Sequence, residues 1–134
     1  ISDCYSLELA DDEMEIGMGQ HGEAGTGSSK IMTADKTAET MVNQLLLAVK
    51  AESGDKIMLM INGAGATTLM EQFIVFRKAK QIAEGKGITV AHAMVGEYLT
   101  VQEMGGFQMC VAKLDDELIS LLKAPSDAPF WTVR

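Results

Sequence analysis

His21 is the residue around which chemistry is easiest to draw. It stands in Gly17–Ser29, GMGQHGEAGTGSS, one of two histidines in the chain, among five glycines and two positions before the carboxylate of Glu23. A neutral imidazole nitrogen is a nucleophile, and with an unperturbed pKa of about 6.5 much of the ring is neutral at pH 7. Glycine loses the most entropy on ordering and is used where backbone takes positive φ or comes close to something. Here the glycines would clear space around the ring, and Glu23 would orient it or meet a substrate. The structural alternative is a histidine that steadies the loop through backbone hydrogen bonds, beside a solvated carboxylate. Composition alone leaves both open.

Other segments offer less. Gly17-x-Gly19-x-x-Gly22 matches the dinucleotide fingerprint in form, but that motif needs a helix starting at its third glycine, and EAGTGSSK intervenes. GTGSSK lacks the Gly-Lys-Ser/Thr of a P-loop, so no lysine is aimed at a phosphate. NGAGATT (Asn62–Thr68) is a second candidate: an apolar run empties into a glycine-rich turn ahead of a helix, where open α/β sheets bind ligands. Asn62, Gly63 and Thr67 would line it, unless the glycines only make the turn. His92 falls mid-strand on a face read as shared with Ile88, Val90 and Met94, which favours a core or sheet-edge role. No spacing joins His21, His92 and a cysteine into a metal site, so no metal is expected. Glu97 and Glu103, six apart near Thr100, make no recognisable acid–base pair and read as solvated charge.

The elements that must hold these residues follow from periodicity. YSLEL (Tyr5–Leu9) and EMEIGMG (Glu13–Gly19) alternate apolar and polar residues around the turn signal ADDE, which predicts a hairpin ahead of the glycine loop. Ala38, Met41, Val42, Leu45, Leu46 and Val49 keep helical spacing, with Thr33 or Asp35 to cap the start and Gly54 just past the end. KIMLMING (Lys56–Gly63) is a continuous apolar run and reads as a buried central strand, parallel to a neighbour. Thr68 and Glu71 form a capping-box pattern for a helix with Leu69, Phe73, Phe76 and Ala79 on one stripe, ending at Gly85 or Gly87. Strands follow at Ile88–Val95 and Phe107–Lys113, joined by the irregular GEYLTVQEMGG. DDELISLLKA makes a last helix, with Asp115 and Asp116 at its N-terminus and Pro125 to halt it; the tail with Trp131 packs on a neighbouring surface. The order β-β-α-β-α-β-β-α predicts an α/β fold: one mixed β-sheet with helices packed on it, as a single domain over residues 1–134.

Composition narrows the partners. The 134 residues carry a formal net charge of −8, which disfavours nucleic acid and anionic membrane. No apolar run approaches the roughly 20 residues of a membrane span, and no signal peptide is visible. Cys4 and Cys110 lie far apart in no metal-ligand spacing and read as reduced thiols of a cytoplasmic protein. The ten methionines read as flexible core filler. The chain opens on Ile1 rather than Met, which reads as a fragment or processed product.

Taken in order, EMEIGMGQHGEAG, INGAGATT, VGEYLTVQEMGGFQM and KLDDELISLLKAP resemble the second, histidine-bearing half of the dihydroxyacetone-binding subunit of dihydroxyacetone kinases. The likeness covers essentially the whole chain and centres on the family's G-x-H-G-E-P-G, here Gly19-Gln20-His21-Gly22-Glu23-Ala24-Gly25. It implies that His21 attacks the carbonyl carbon of a short-chain ketose and holds it as a covalent hemiaminal. Gly19, Gln20, Gly22 and Glu23 would stand around the substrate, and Thr100 would be a pocket residue. A terminal hydroxyl is then phosphorylated by ATP or a phosphotransferase-system donor held on a partner subunit or domain, so this chain itself binds no cofactor. The resemblance further implies a homodimer, and catalysis that is incomplete without an N-terminal half and the nucleotide-binding partner.

The family's proline is Ala24 here, its hydrophobic residue before the histidine is Gln20, its Thr-Ser pair is Thr100-Val101, and its G-F-S is Gly106-Phe107-Gln108. These departures leave a four-carbon ketose such as erythrulose as an alternative substrate. A non-catalytic paralogue that senses a ketose and regulates a partner protein would use the same histidine.

Overall fold

A computed structural model describes residues 9–19, 25, 27–99, 101, 104–129 and 131–134. The backbone separates into two compact units, Ile1–Thr33 and Ala34–Arg134.

In the first unit, β1 (Glu13–Glu15) pairs antiparallel with β2 (Ser28–Lys30) in the register Glu13↔Lys30, Met14↔Ser29, Glu15↔Ser28. The hairpin read from the sequence falls largely outside the described residues, and the extent of its second strand is corrected. Of its first strand, residues 5–8 lie outside the described residues and Leu9 is in no strand; its second strand is cut to three residues, and the partner follows the glycine loop. The cause is Gly17, whose φ of 88° breaks an extended path that the alternation alone would have continued. The ADDE turn does form, with Glu13 N–H donating to Ala10 C=O at 2.9 Å. An ion pair between Lys30 and Asp12 at 2.6 Å and the bond from Ile31 N–H to Asp12 C=O at 2.9 Å close the open end of the ladder.

The second unit is built on β3 (Lys56–Gly63), the middle strand of a three-stranded mixed sheet. It runs parallel to β4 (Thr89–Gly96) and antiparallel to β5 (Phe107–Leu114). α1 (Ala34–Ala48) and α2 (Leu69–Gly85) cover one face. There Ile57, Leu59 and Ile61, all fully buried, meet Ala38, Val42 and Leu46 of α1 and Val75, Ala79 and Ala83 of α2. The alanines let the helices come close, and the apolar area removed from water at roughly 25 cal/mol per Å² holds the layers together.

Both helix ends have a clear local cause. α1 stops in a Schellman turn: Ala51 N–H reaches Leu46 C=O at 2.9 Å and Lys50 N–H reaches Leu47 C=O at 3.1 Å. The left-handed residue is Lys50, with φ 51°, so Gly54 is not the helix terminator; it serves the next turn. α2 begins with the capping box of Thr68 and Glu71 and ends in a second Schellman turn at Gly87, with φ 75°. That turn takes Ile88 N–H for Ala83 C=O at 3.1 Å, which is why β4 starts at Thr89 instead of Ile88.

The stripe expected on α2 is turned. Leu69 and Phe73 are each 51% exposed, whereas Gln72, Val75, Ala79 and Ala83 are buried. The small residues set how closely the helix sits, and Gln72 is drawn in because it finds polar partners. β4 also departs from strict alternation. Ile57 pairs with Val90 but Met58 pairs with His92, leaving Ala91 as an extra residue. His92 thus lines up with Met58, while Ile88 and Val90 pack on the core side.

α3 (Asp116–Leu122) is capped by Asp115, whose side chain accepts from Leu118 N–H at 2.7 Å. The tail, read from sequence without structure, forms a hairpin of β6 (Ser126–Ala128) and β7 (Trp131–Val133). Its two three-residue strands are too short to show a period. Trp131 packs on Tyr98, ring centres 6.4 Å apart.

Candidate functional site

Two glycine-rich segments carry the candidate residues, one in each compact unit. In the first unit, the loop between β1 and β2 is closed at its base. Glu15 pairs with Ser28 in the ladder, and its carboxylate accepts from Gly25 N–H at 2.8 Å. Gly25 lies so close to its surroundings that a Cβ would strike Glu15 Oε1, the Ile16 carbonyl and the Met18 amide. The last glycine of the G-x-H-G-E-x-G stretch is therefore required by close approach. Gly19 is described and half-buried; Gln20, His21, Gly22 and Glu23 lie outside the described residues.

The second unit gathers polar side chains at the carboxyl end of β3. Asn62 is buried, and its carbonyl accepts from Tyr98 N–H at 2.7 Å and Leu99 N–H at 3.0 Å. Its amide donates to Leu99 C=O at 2.5 Å and to Gln108 Oε1 at 2.9 Å. Backbone bonds continue the attachment. Ala64 N–H donates to Gly106 C=O and Ala66 N–H to Met104 C=O, each at 3.1 Å.

Beside it, Gln72 is fully buried and donates from Nε2 to Thr67 C=O at 3.1 Å and to Glu97 Oε1 at 2.5 Å. Two acceptors fix the orientation of this amide, and among the described residues its buried Oε1 has no hydrogen-bond partner. The Glu97 and Gln72 side chains lie across Gly63, where any Cβ would collide with Glu97 Oε1 and Gln72 Nε2. At the start of α2, Thr68 holds the Glu71 carboxyl below its ordinary pKa through side-chain and backbone hydrogen bonds. An ionised carboxylate thus already occupies this helix N-terminus, which works against a second anion there.

A family model, the Dak1 domain, matches residues 3–130. The chain belongs to the Dak1 domain family. It is 36% identical over 127 residues to a PTS-dependent dihydroxyacetone kinase 2, dihydroxyacetone-binding subunit DhaK, of Listeria innocua, covering 95% of this chain and 38% of the relative. It is 39% identical over 120 residues to an L-erythrulose kinase of Pectobacterium atrosepticum, covering 87% of this chain and 20% of the relative. Among solved structures, the dihydroxyacetone kinase operon co-activator Dha-DhaQ is similar at a TM-score of 0.81 and 28% identity, over 90% of this chain and 38% of that one. This Dak1 chain thus spans well under half the length of the curated relatives it matches.

The Dak1 fold places the remaining sequence candidates plainly. Asn62, Gly63 and Thr67 come together at the end of β3, and Thr100 lies outside the described residues. Gln72 and Glu97 join them. The sequence carried no strong signal for either: one is a polar residue inside a helical stripe, the other a single glutamate after a strand. Among the described residues no group of three or more His, Cys, Asp or Glu side chains is placed to hold a metal ion. Burial pushes the Cys110 thiol up, away from the reactive thiolate. No described helix is long and apolar enough to cross a membrane.

Proposed function

We propose that this Dak1 chain is the histidine-bearing part of a ketose-binding kinase subunit, with His21 as the covalent anchor. A neutral ring nitrogen of His21 attacks the carbonyl carbon of dihydroxyacetone or a similar short-chain ketose. The C–N bond forms as the C=O π pair moves to oxygen, which takes a proton as the other ring nitrogen gives one up, so no water is lost. Gly19, Gln20, Gly22 and Glu23 stand around the ketose, and Asn62, Gly63, Thr67 and Thr100 belong to the pocket or its supporting loops. A terminal hydroxyl of the held ketose then attacks a phosphoryl group of ATP or a phosphotransferase-system protein on a partner subunit. The rest of the subunit comes from the longer polypeptide that relatives have, and the assembly is a homodimer.

Covalent capture suits so small a ligand. Non-covalent binding is bounded at about −1.5 kcal/mol per heavy atom, and dihydroxyacetone has few. A bond to an electrophilic carbon also separates ketones from plain polyols. The observation that carries the reading is the Gly19–Gly25 stretch with His21 at its centre, inside a loop whose base is closed by Glu15, in a chain of the Dak1 family.

The test is intact-protein mass spectrometry of the full-length subunit with dihydroxyacetone. The expected adduct adds one whole ketose with no loss of water, unlike a lysine imine. Absence of the adduct at saturating ketose would falsify the reading.

Two relatives support narrower variants. The likeness to an L-erythrulose kinase supports a four-carbon ketose as substrate. The likeness to an operon co-activator supports a ketose sensor that regulates a partner. Phosphoryl transfer by the full-length protein with its donor subunit separates kinase from sensor.

A further inference from the structure

β1 uses its two glutamates in opposite directions. Glu13 turns back to the ADDE turn, where its carboxylate accepts from Ala10 N–H at 3.3 Å. Glu15 reaches ten residues along the chain, past the glycine loop, to accept from Gly25 N–H at 2.8 Å. That bond is made where the loop closes. A Cβ at Gly25 would lie 2.7 Å from the Ile16 carbonyl oxygen and 2.8 Å from the Met18 amide nitrogen, so the chain leaving Met18 and the chain arriving at Gly25 meet at one place. Residues 19–24 are strung between those two points, with His21 three positions from one and four from the other. The corners on either side are glycines in the left-handed region, Gly17 with φ 88° and Gly27 with φ 98°. Backbone of this kind has wide freedom when nothing holds it. The ladder beneath it is only two strands of three residues, marginal in water by itself.

We infer that Glu15 is the positioning residue of the capture loop: by holding Gly25 against the point where the loop departs, it sets ketose affinity. This rests on the capture reading above. Glu15 acts through Gly25 and through the reach of its side chain, not through its charge. A loop already tied at both ends loses less freedom when the bond to the ketose forms. With the tie cut, a smaller fraction of molecules presents the nucleophile, and the apparent dissociation constant rises by the inverse of that fraction.

The experiment compares the full-length subunit with Glu15→Ala, Glu15→Asp, Glu15→Gln and Glu13→Ala. Glu15→Asp keeps the charge and shortens the reach by one methylene. Glu15→Gln removes the charge but keeps the reach and an acceptor oxygen for Gly25 N–H. Glu13→Ala deletes a carboxylate-to-backbone bond of the same kind, from the same strand, at the end away from the loop. For each protein the half-saturating dihydroxyacetone concentration is read by intact-protein mass spectrometry from the adduct fraction, scaled to folded protein, alongside the thermal midpoint.

Glu15→Ala and Glu15→Asp are expected to raise that concentration by roughly tenfold to a hundredfold, the scale of a small misplacement. Glu15→Gln and Glu13→Ala are expected to stay close to wild type. If the wild type captures ketose and Glu15→Ala and Glu15→Asp match it, whatever their thermal midpoints, the positioning role falls while the capture reading stands. If Glu15→Gln is as impaired as Glu15→Ala, charge and not reach is at work, and the inference falls. If Glu13→Ala is as impaired as Glu15→Ala, the hairpin as a whole governs affinity, and the role given to the loop tie falls with it. If the wild type forms no adduct, the capture reading falls and takes this one with it.

Discussion

The loop from Gly17 to Gly27 and the turn from Asn62 to Thr68 look alike in sequence, each rich in glycine and each carrying polar residues. Their described bonding differs. In the turn, Asn62 is engaged on four bonds, Thr67 C=O takes Gln72, and Thr68 closes a capping box with Glu71. Those groups are occupied with holding the fold. In the loop, the described bonds lie at the base, where Glu15 grips Gly25, and residues 20–24 lie outside the described residues. Glycine content therefore does not mark a binding site by itself; in the turn, the described polar groups are engaged in holding the fold.

That contrast can be broken most directly at His21. His21→Ala should abolish the dihydroxyacetone adduct of the full-length subunit with no loss of thermal stability; an adduct that persists would show that another residue is the nucleophile. The opposite pattern is expected in the turn. Asn62→Leu leaves the amides of Tyr98 and Leu99 without their acceptor and should destabilise by at least about 2 kcal/mol, read from the urea midpoint. An Asn62→Leu protein as stable as wild type would remove the structural role assigned to the turn.

Thr68→Ala sharpens the same point on a smaller scale. Loss of the cap should lower stability by about 1 kcal/mol and leave adduct formation intact. The smallest effect concerns acid. Hydrogen bonds to Lys113, Thr68 and Lys56 hold Asp55, Glu71 and Asp116 below their ordinary pKa values. Each binds fewer protons folded than unfolded, so its contribution is present above the ordinary carboxylate range and is lost as pH falls through the folded pKa. Urea midpoints should therefore fall slightly below about pH 4, and Asp55→Asn should flatten that slope. Glu71 and Asp116 are exposed and Asp55 is half-buried, so the change is modest.

Periodicity found what a period can encode. The apolar run of β3, the capping box at Thr68 and the acidic start of α3 need only local rules, and each stands where the sequence puts it. The misses have non-local causes. β1 pairs across the glycine loop with Ser28–Lys30, three polar residues with no strand signature. The extra residue at Ala91 is set by the partner strand. Gln72 is buried because Thr67 and Glu97 meet it, and nothing in a helical wheel anticipates that. Of the candidate site, Asn62 and Gly63 could be named from the strand–turn–helix pattern. Their roles depended on Leu99, Gln108 and Glu97, residues far away in the chain.

The ties from β3 to residues 98–99 and to residues 104–106 give the stretch between them room to change. Both mouths of that excursion are knotted to one strand end, so residues added or exchanged between them need not disturb the sheet. Closing a somewhat longer bend costs only a few tenths of a kcal/mol, because the entropy grows with the logarithm of length. Residues can change there while the scaffold stays as it is.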